Sequence, residues 1–209
     1  MSTTDWGKKL EEAGALWRMN YDAKGAHALL TSGKHSDGYM NCAKIVTDPN
    51  LTAEVAGGII ENLKEQTDFE MPDYVVGPSY GAITFAHEVA RQLGVKFGFT
   101  EVVHTEEGKM QELKRFDIPS DAKVLVIEDV TTTGGSALKT INALKDAGCT
   151  VLPMLGIIIN WSGEKEIEGH KIVPLLEAQM MVYEADECSL CKEGGEAVRP
   201  KSRWADLAR

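Results

Sequence analysis

The chain has 209 residues, long enough for one sizeable core, and its 43% hydrophobic content marks a folded globular protein. With 32 acidic residues against 22 basic ones the net charge is -10, which argues against a general nucleic-acid or anionic-membrane surface, so any anion must be bound locally. Residues 1–9 carry no apolar signal core and no run reaches the roughly 18 apolar residues of a membrane span, so the expected location is the cytoplasm.

Residues 5–17 predict an amphipathic helix, because Trp6, Leu10, Ala13 and Trp17 recur at spacings of three and four. Residues 28–45 mix alternating apolar positions with Gly33, Gly38 and small polar residues, the texture of short antiparallel strands. Pro49 and Asn50 open a helix reaching about residue 66, with Val55, Ile59 and Leu63 inward. From Asp73 the pattern alternates. Strands are expected at residues 74–77, 96–100, 123–127 and 151–159, and helices at 83–93 and 136–147. That order predicts an α/β fold with a mostly parallel sheet, helices on both faces and ligands at the carboxyl ends of the strands. The organisation expected is an N-terminal helix and strands over residues 1–48, a core over 49–184 and an irregular charged appendage over 185–209, all within one compact domain.

The most informative stretch is residues 124–136, Val-Leu-Val-Ile-Glu-Asp-Val-Thr-Thr-Thr-Gly-Gly-Ser. Four apolar residues make a buried strand, Glu128 and Asp129 follow, and a hydroxyl- and glycine-rich turn leads into a helix with Leu138, Ile141 and Leu144 at helical spacing. Gly134 and Gly135 let backbone N–H groups approach an anion. Thr131, Thr132, Thr133 and Ser136 add hydroxyls, and the helix directs its positive end at the same place. Glu128 and Asp129 suit sugar hydroxyls and a hydrated Mg2+. A phosphate at one end and a ribose at the other is the ligand these groups fit.

Pro78-Ser79-Tyr80-Gly81-Ala82 is a second small-residue turn before a helix, either a further anion site or an ordinary β-to-α turn. Residues 101–116 form a polar stretch between two strands, read as a long mobile loop or a hairpin; such segments often act as lids. Its cations are His104, Lys109, Lys114 and Arg115. Of the four cysteines, Cys42, Cys149, Cys188 and Cys191, only the last two form a motif. Cys188-Ser-Leu-Cys191 has the spacing of half a zinc site, a redox pair or two plain thiols in a turn.

At residues 124–136 the chain resembles the type I phosphoribosyltransferases, whose motif for 5-phosphoribosyl-1-diphosphate (PRPP) is an apolar strand, an acidic pair and a Thr/Gly/Ser loop. The resemblance implies the type I phosphoribosyltransferase fold. Glu128, Asp129, Val130, Thr131, Thr132, Thr133, Gly134, Gly135 and Ser136 would bind PRPP, with Ser79, Tyr80 and Gly81 on its pyrophosphate. It also implies Mg2+ bound through PRPP and Asp129, and a homodimer whose lid, residues 103–115, closes over the neighbouring site.

Leu30-Thr31-Ser32-Gly33-Lys34-His35-Ser36-Asp37 resembles a signature near the start of the orotate phosphoribosyltransferases, where it builds a small N-terminal hood over the base. Glu107-Gly108-Lys109-Met110 and the end Cys188 to Arg203 match the same family in order. Asp129, Glu128, Lys109 and His104 are then the catalytic candidates, and Ser32, Lys34, Thr132 and Trp161 the base-binding ones. Two departures stand out. Asn160-Trp161 occupies the place of the family's usual Asp-Arg, and Val102 and Val103 stand where a lid cation is common. Trp161 can stack on a base but offers no charge to a carboxylate. The readings are therefore transfer of ribose 5-phosphate from PRPP to orotate, the same chemistry on another nucleobase such as a purine, or a non-catalytic PRPP-sensing regulator. Residues 1–30 are short and carry no excess of basic residues for the DNA-binding segment of the last type.

Overall fold

A computed structural model describes residues 4–21, 25–30, 32–106 and 108–207. In chain order the elements begin with α1 (Trp6–Glu12), β1 (Leu16–Arg18), β2 (His27–Leu29), β3 (His35–Ser36), β4 (Gly38–Met40), α2 (Cys42–Val46) and α3 (Pro49–Lys64). They continue with β5 (Tyr74–Pro78), α4 (Ile83–Leu93), β6 (Lys96–Thr105), β7 (Gly108–Glu112), β8 (Lys123–Thr131), α5 (Gly135–Asp146) and β9 (Thr150–Asn160). The chain closes with β10 (Glu166–Ile167), β11 (His170–Glu177), β12 (Val182–Tyr183), α6 (Ser189–Lys192), β13 (Ala197–Val198) and α7 (Trp204–Leu207). Two compact units result, one of residues 46–178 and one joining residues 1–45 to 179–209. Among the described residues no helix is long and apolar enough to cross a membrane.

The larger unit is a mixed sheet in the order β10-β11-β9-β8-β5-β6-β7, parallel inside and antiparallel at both outer pairs. Strand β8 lies in its middle and is buried on both faces, which is why residues 124–127 read as an unbroken apolar run rather than an alternating one. Successive side chains still point to opposite faces. Val124 and Val126 pack with Ala137, Ile141 and Leu144 of α5 and with Leu155 and Ile157 of β9. The other face holds Ile127 beside α3, where Gly156 removes the side chain that would separate them. A Cβ at Gly156 would lie 2.6 Å from Ile127 Cδ1 and 2.8 Å from Ile59 Cγ2.

Helix α3 starts as its sequence dictates. Pro49 occupies the first turn, the Asp48 carboxylate accepts from the Asn50 and Leu51 N–H groups, and Val55, Ile59 and Leu63 are fully buried. Other expectations need correction. The first helix stops at Glu12 because Gly14, at φ 65°, turns the chain, and Trp17 belongs instead to β1, opposite Tyr39 of β4. Strands β10 and β11 were not anticipated. Pro174 within β11 hides the strand signal, yet it lies beyond the two residues that β10 covers, where no N–H is needed. Residues 42–46, expected within the strand region, form α2.

A register shift separates β8 from simple pairing with β9: Val124 faces Val151 and Val126 faces Leu155, so two steps along β8 match four along β9. Pro153 lies in the excess segment, and the Leu152 carbonyl there accepts from His170 Nδ1 at 2.8 Å.

In the smaller unit β1 pairs with β4, and a second sheet has the order β12-β3-β2-β13. Strand β13 runs parallel to β2, and Trp17 Nε1 donates to the Leu207 carbonyl at 2.5 Å. Trp17, Ala28, Val198 and Leu207 form a buried cluster. These long-range pairings group residues 179–209 with the N-terminal segment. The sequence division at 48/49 and 184/185 set them apart as an irregular appendage and expected one compact domain.

Replacing Gly156 by Val forces α3 and β8 apart, and the expected outcome is a loss of about 1–3 kcal/mol of stability. Urea unfolding checks it, with a lower midpoint at an unchanged slope.

Candidate active site

Strands β5, β8 and β9 run parallel, so their carboxyl ends and the turns that follow come together at one edge of the sheet. Strand β8 runs four residues further than the sequence indicated. Val130 pairs with Ile159 and Thr131 with Asn160, so Glu128, Asp129, Val130 and Thr131 are strand residues held in register. Thr132, Thr133 and Gly134 make the turn, and α5 begins at Gly135.

The turn is built around Gly134. Its φ is 74°, in the left-handed region, and a Cβ there would meet Ile167 Cδ1 at 2.7 Å, so both backbone and space require glycine. Unlike α3, α5 has no side-chain cap, and its first turn holds no acidic residue. Its first N–H groups therefore have no partner within the helix and face outward with the positive end of the helix dipole. Thr132, Thr133 and Ser136 are exposed beside them. Thr131 is buried, and its Oγ1 has no hydrogen-bond partner among the described residues.

Glu128 is 4% exposed and Asp129 half-buried. Burial first, and then the Asp129 carboxylate beside it, push the Glu128 carboxyl well above the ordinary carboxylate range; the Asp129 N–H and the Ser136 side chain oppose the shift. Asp129 Oδ1 accepts from the Val130 N–H at 2.9 Å. Its other oxygen lies against Gly81, where a Cβ would overlap the carboxylate. The turn after β5 and the acidic pair of β8 are thus one arrangement. Ser79 is fixed in it by its N–H, which donates to Thr100 O at 2.9 Å, and by its Oγ, which accepts from the Val102 N–H at 3.2 Å. The Ser79–Tyr80 peptide is cis, and the Tyr80 side chain is exposed.

Trp161 follows β9, and its N–H donates to Thr131 O at 2.8 Å, which sets it beside the start of the glycine turn. Asn160 ahead of it is buried and organises the bend: Oδ1 accepts from Ser162 N and Oγ, and Nδ2 donates to the Glu164 carbonyl. The indole Nε1 of Trp161 is buried without a hydrogen-bond partner among the described residues. Sequence reasoning missed Asn160 as a turn builder and the Gly81–Asp129 approach. The first has a local signal in Asn-x-Ser; the second has none.

The polar segment that begins at Glu101 is a β-hairpin of the end of β6 and β7, with His104 opposite Lys109 and both exposed. Glu107 at its tip lies outside the described residues. Arg115 is drawn back to Glu101 Oε2 at 3.0 Å, whereas Lys109 extends along β7. Ser32 and Lys34 belong to the smaller unit. There Ser32 Oγ accepts from the Lys34 N–H, and Lys34 Nζ pairs with Glu184 at 2.5 Å. Thr31 of the same signature lies outside the described residues. Cys188 and Cys191 are also in the smaller unit and are free thiols.

The raised carboxyl of Glu128 gives a signed expectation. The folded protein keeps a proton that the unfolded chain releases above pH of about 4.3, so stability from this group is lost as pH rises from there toward the raised folded value. Glu128→Gln should therefore unfold at higher denaturant than the parent near neutral pH. The gap should close near pH 4, with a slope of at most about 1.4 kcal/mol per pH unit.

The phosphoribosyl transferase domain model matches residues 43–179. An orotate phosphoribosyltransferase of Caldicellulosiruptor saccharolyticus is 41% identical over 177 residues, 85% of this chain and 88% of that one. An orotate phosphoribosyltransferase of Acidithiobacillus ferrooxidans is 36% identical over 197 residues, 92% of this chain and 97% of that one. Among solved structures, orotate phosphoribosyltransferase from Aeropyrum pernix shares the fold, with a TM-score of 0.65 at 23% identity over 82% of this chain and 92% of that one. An uncapped helix behind an acid-ended strand, a second turn pressed on that acid, and this similarity over most of the length agree: the chain belongs to the phosphoribosyltransferase family, alongside its orotate phosphoribosyltransferases.

Proposed function

We propose that the chain transfers the phosphoribosyl group of PRPP to orotate, giving orotidine 5-phosphate and pyrophosphate. The observation that carries this reading is the continuity of Glu128 and Asp129 with the uncapped turn at Gly134, faced by Gly81. The relatives named for this reaction support orotate as the acceptor.

In the reaction the bond from ribose C1 to the pyrophosphate oxygen breaks. A bond from C1 to the base nitrogen forms on the opposite face, and the proton of that nitrogen passes to solvent. Thr132, Thr133, Ser136 and the first N–H groups of α5 hold the 5-phosphate. Glu128, whose carboxyl burial and the adjacent Asp129 raise above the ordinary carboxylate range, and Asp129 bind the ribose hydroxyls. Ser79, Tyr80 and Gly81 hold the pyrophosphate. The half-buried Asp129 offers the oxygen donor that a hydrated Mg2+ prefers, and the ion, when bound, offsets charge on the phosphate oxygens. Trp161 presents a flat ring to the base, together with an N–H that can donate to a base oxygen. The same uncharged ring favours a second reading, a purine acceptor.

Pyrophosphate release is to be followed with PRPP, Mg2+ and a panel of bases. Turnover is expected with orotate. Turnover with a purine but not orotate overturns the acceptor, and no turnover with any base overturns the reaction. Asp129→Asn should lower kcat by about 100-fold or more while the protein stays folded. Trp161→Phe keeps the ring and removes the donor, and should raise KM for orotate by about 10-fold with KM for PRPP nearly unchanged.

The chain acts as a homodimer in this reading, with Lys109 of one hairpin reaching the pyrophosphate bound by its partner. Lys109→Ala should lower kcat more than PRPP affinity. Mixed with Asp129→Asn chains it should recover activity, since each mixed dimer has one intact site. No recovery despite measured subunit exchange means that the hairpin does not act across the dimer.

A further inference from the structure

The smaller unit holds a side-chain cluster that the transfer reaction does not use. His27 of β2, His35 of β3, Cys188 at the N-cap of α6 and Cys191 within α6 each place one ligand atom within 4.8 Å of all the others. His27 Nε2 lies 3.1 Å from His35 Nδ1, 3.3 Å from Cys191 Sγ and 3.6 Å from Cys188 Sγ. Cys191 Sγ is 3.3 Å from His35 Nδ1.

These spacings have a specific meaning. A zinc ion held tetrahedrally at about 2.0–2.1 Å from nitrogen and about 2.3 Å from sulfur sets its ligand atoms about 3.3 Å apart for two nitrogens and about 3.5 Å apart for nitrogen and sulfur. The four distances given agree with those edges to within about 0.3 Å. Hydrogen bonding alone accounts for them poorly. A neutral imidazole nitrogen offers one N–H or one lone pair, and His27 Nε2 has three neighbours. A cation at the centre accepts one lone pair from each of the four atoms.

The fold brings the ligands together from far apart in sequence. In the β2–β3 ladder Leu29 faces His35, so His27, two residues back, is the diagonal neighbour of His35 on the same face. Cys188 and Cys191, three residues apart at the start of α6, turn both sulfurs to one side. The following turn closes tightly: Gly195 N–H donates to Leu190 O at 2.9 Å. A Cβ at Gly195 would lie 2.9 Å from that carbonyl and 3.1 Å from His27 Nδ1. Three of the four residues are shielded from solvent, with His27 at 0%, Cys188 at 1% and His35 at 7% exposure. An unpaired thiolate there would be costly, and a bound cation removes that cost.

We propose that His27, His35, Cys188 and Cys191 bind one zinc ion in a closed four-ligand structural site that fastens the C-terminal segment to the β2–β3 hairpin. No ligand position is left open, so the ion supports structure rather than chemistry.

The test uses the full chain, purified without chelator or immobilised-metal resin. Plasma mass spectrometry should find about one zinc per chain. Cys188→Ser combined with Cys191→Ser should lose it, and Cys42→Ser should keep it. The wild-type chain, stripped and refilled with Co2+, should show the intense visible bands and the thiolate-to-cobalt charge transfer of a tetrahedral sulfur-ligated centre, a readout that does not depend on any variant folding. Zinc retained at full stoichiometry in the double variant overturns the proposal. So does a wild-type chain grown with ample zinc that carries none and gives no thiolate band with Co2+.

Discussion

Strand β8 is hydrogen-bonded on both sides and covered on both faces, and the rest of the larger unit is arranged around that confinement. A strand held by β5 on one side and β9 on the other cannot slide without moving every side chain to the wrong face. Its far end is therefore a fixed point. Two carboxylates placed there cannot separate, and burial together with the neighbouring Asp129 charge raises the Glu128 carboxyl above the ordinary carboxylate range. The turn after β5 inherits the same fixity, because Gly81 lies directly on Asp129 and tolerates no side chain. The turns and acids that the proposed reaction uses are thus positioned by the ladder, not by their own loops.

The electrostatics explain how a chain of net charge -10 can receive a triply phosphorylated ligand. In the proposed site the receiving groups are uncharged: an uncapped helix end, a glycine in the left-handed region and exposed hydroxyls. Dipoles of this kind act at short range and are fixed before the ligand arrives, so they cost little reorganisation. The contrast between α3, closed by Asp48, and α5, left uncapped at Gly134, separates a helix that only supports the fold from one available to a ligand.

Much of this was legible in the sequence because it is local. The Val124 to Ile127 run, the glycines at 134 and 135, Pro49 after Asp48 and the inward positions of α3 all act within a few residues of themselves. What escaped depends on partners far along the chain. Trp17 fits a helix pattern by spacing, and only Gly14 and pairing with Tyr39 place it in a strand. His27 and His35 look unremarkable until β3 turns back on β2 and residues 188–191 fold beside them. Ala197 and Val198 have no strand signature, because two residues become a strand only by lying alongside His27 and Ala28. Strand β11 was masked by Pro174, whose missing N–H faces a part of the edge that needs none.

The irregularity around Pro153 has a consequence for how the length of the chain can vary. Between Val124 and Val126, β9 takes two more steps than β8, and two is even. Parity is conserved, so Leu155 and Ile157 still face α5 beside Val126, and Gly156 still turns its bare backbone to α3. An odd change there would invert the rest of β9, driving Leu155 and Ile157 toward α3 and leaving a glycine against α5. It would also change which residue stands opposite Thr131. Insertions and deletions in this segment should thus be accepted in pairs and rejected singly, a counting rule imposed on the gene by the two-residue repeat of an extended backbone.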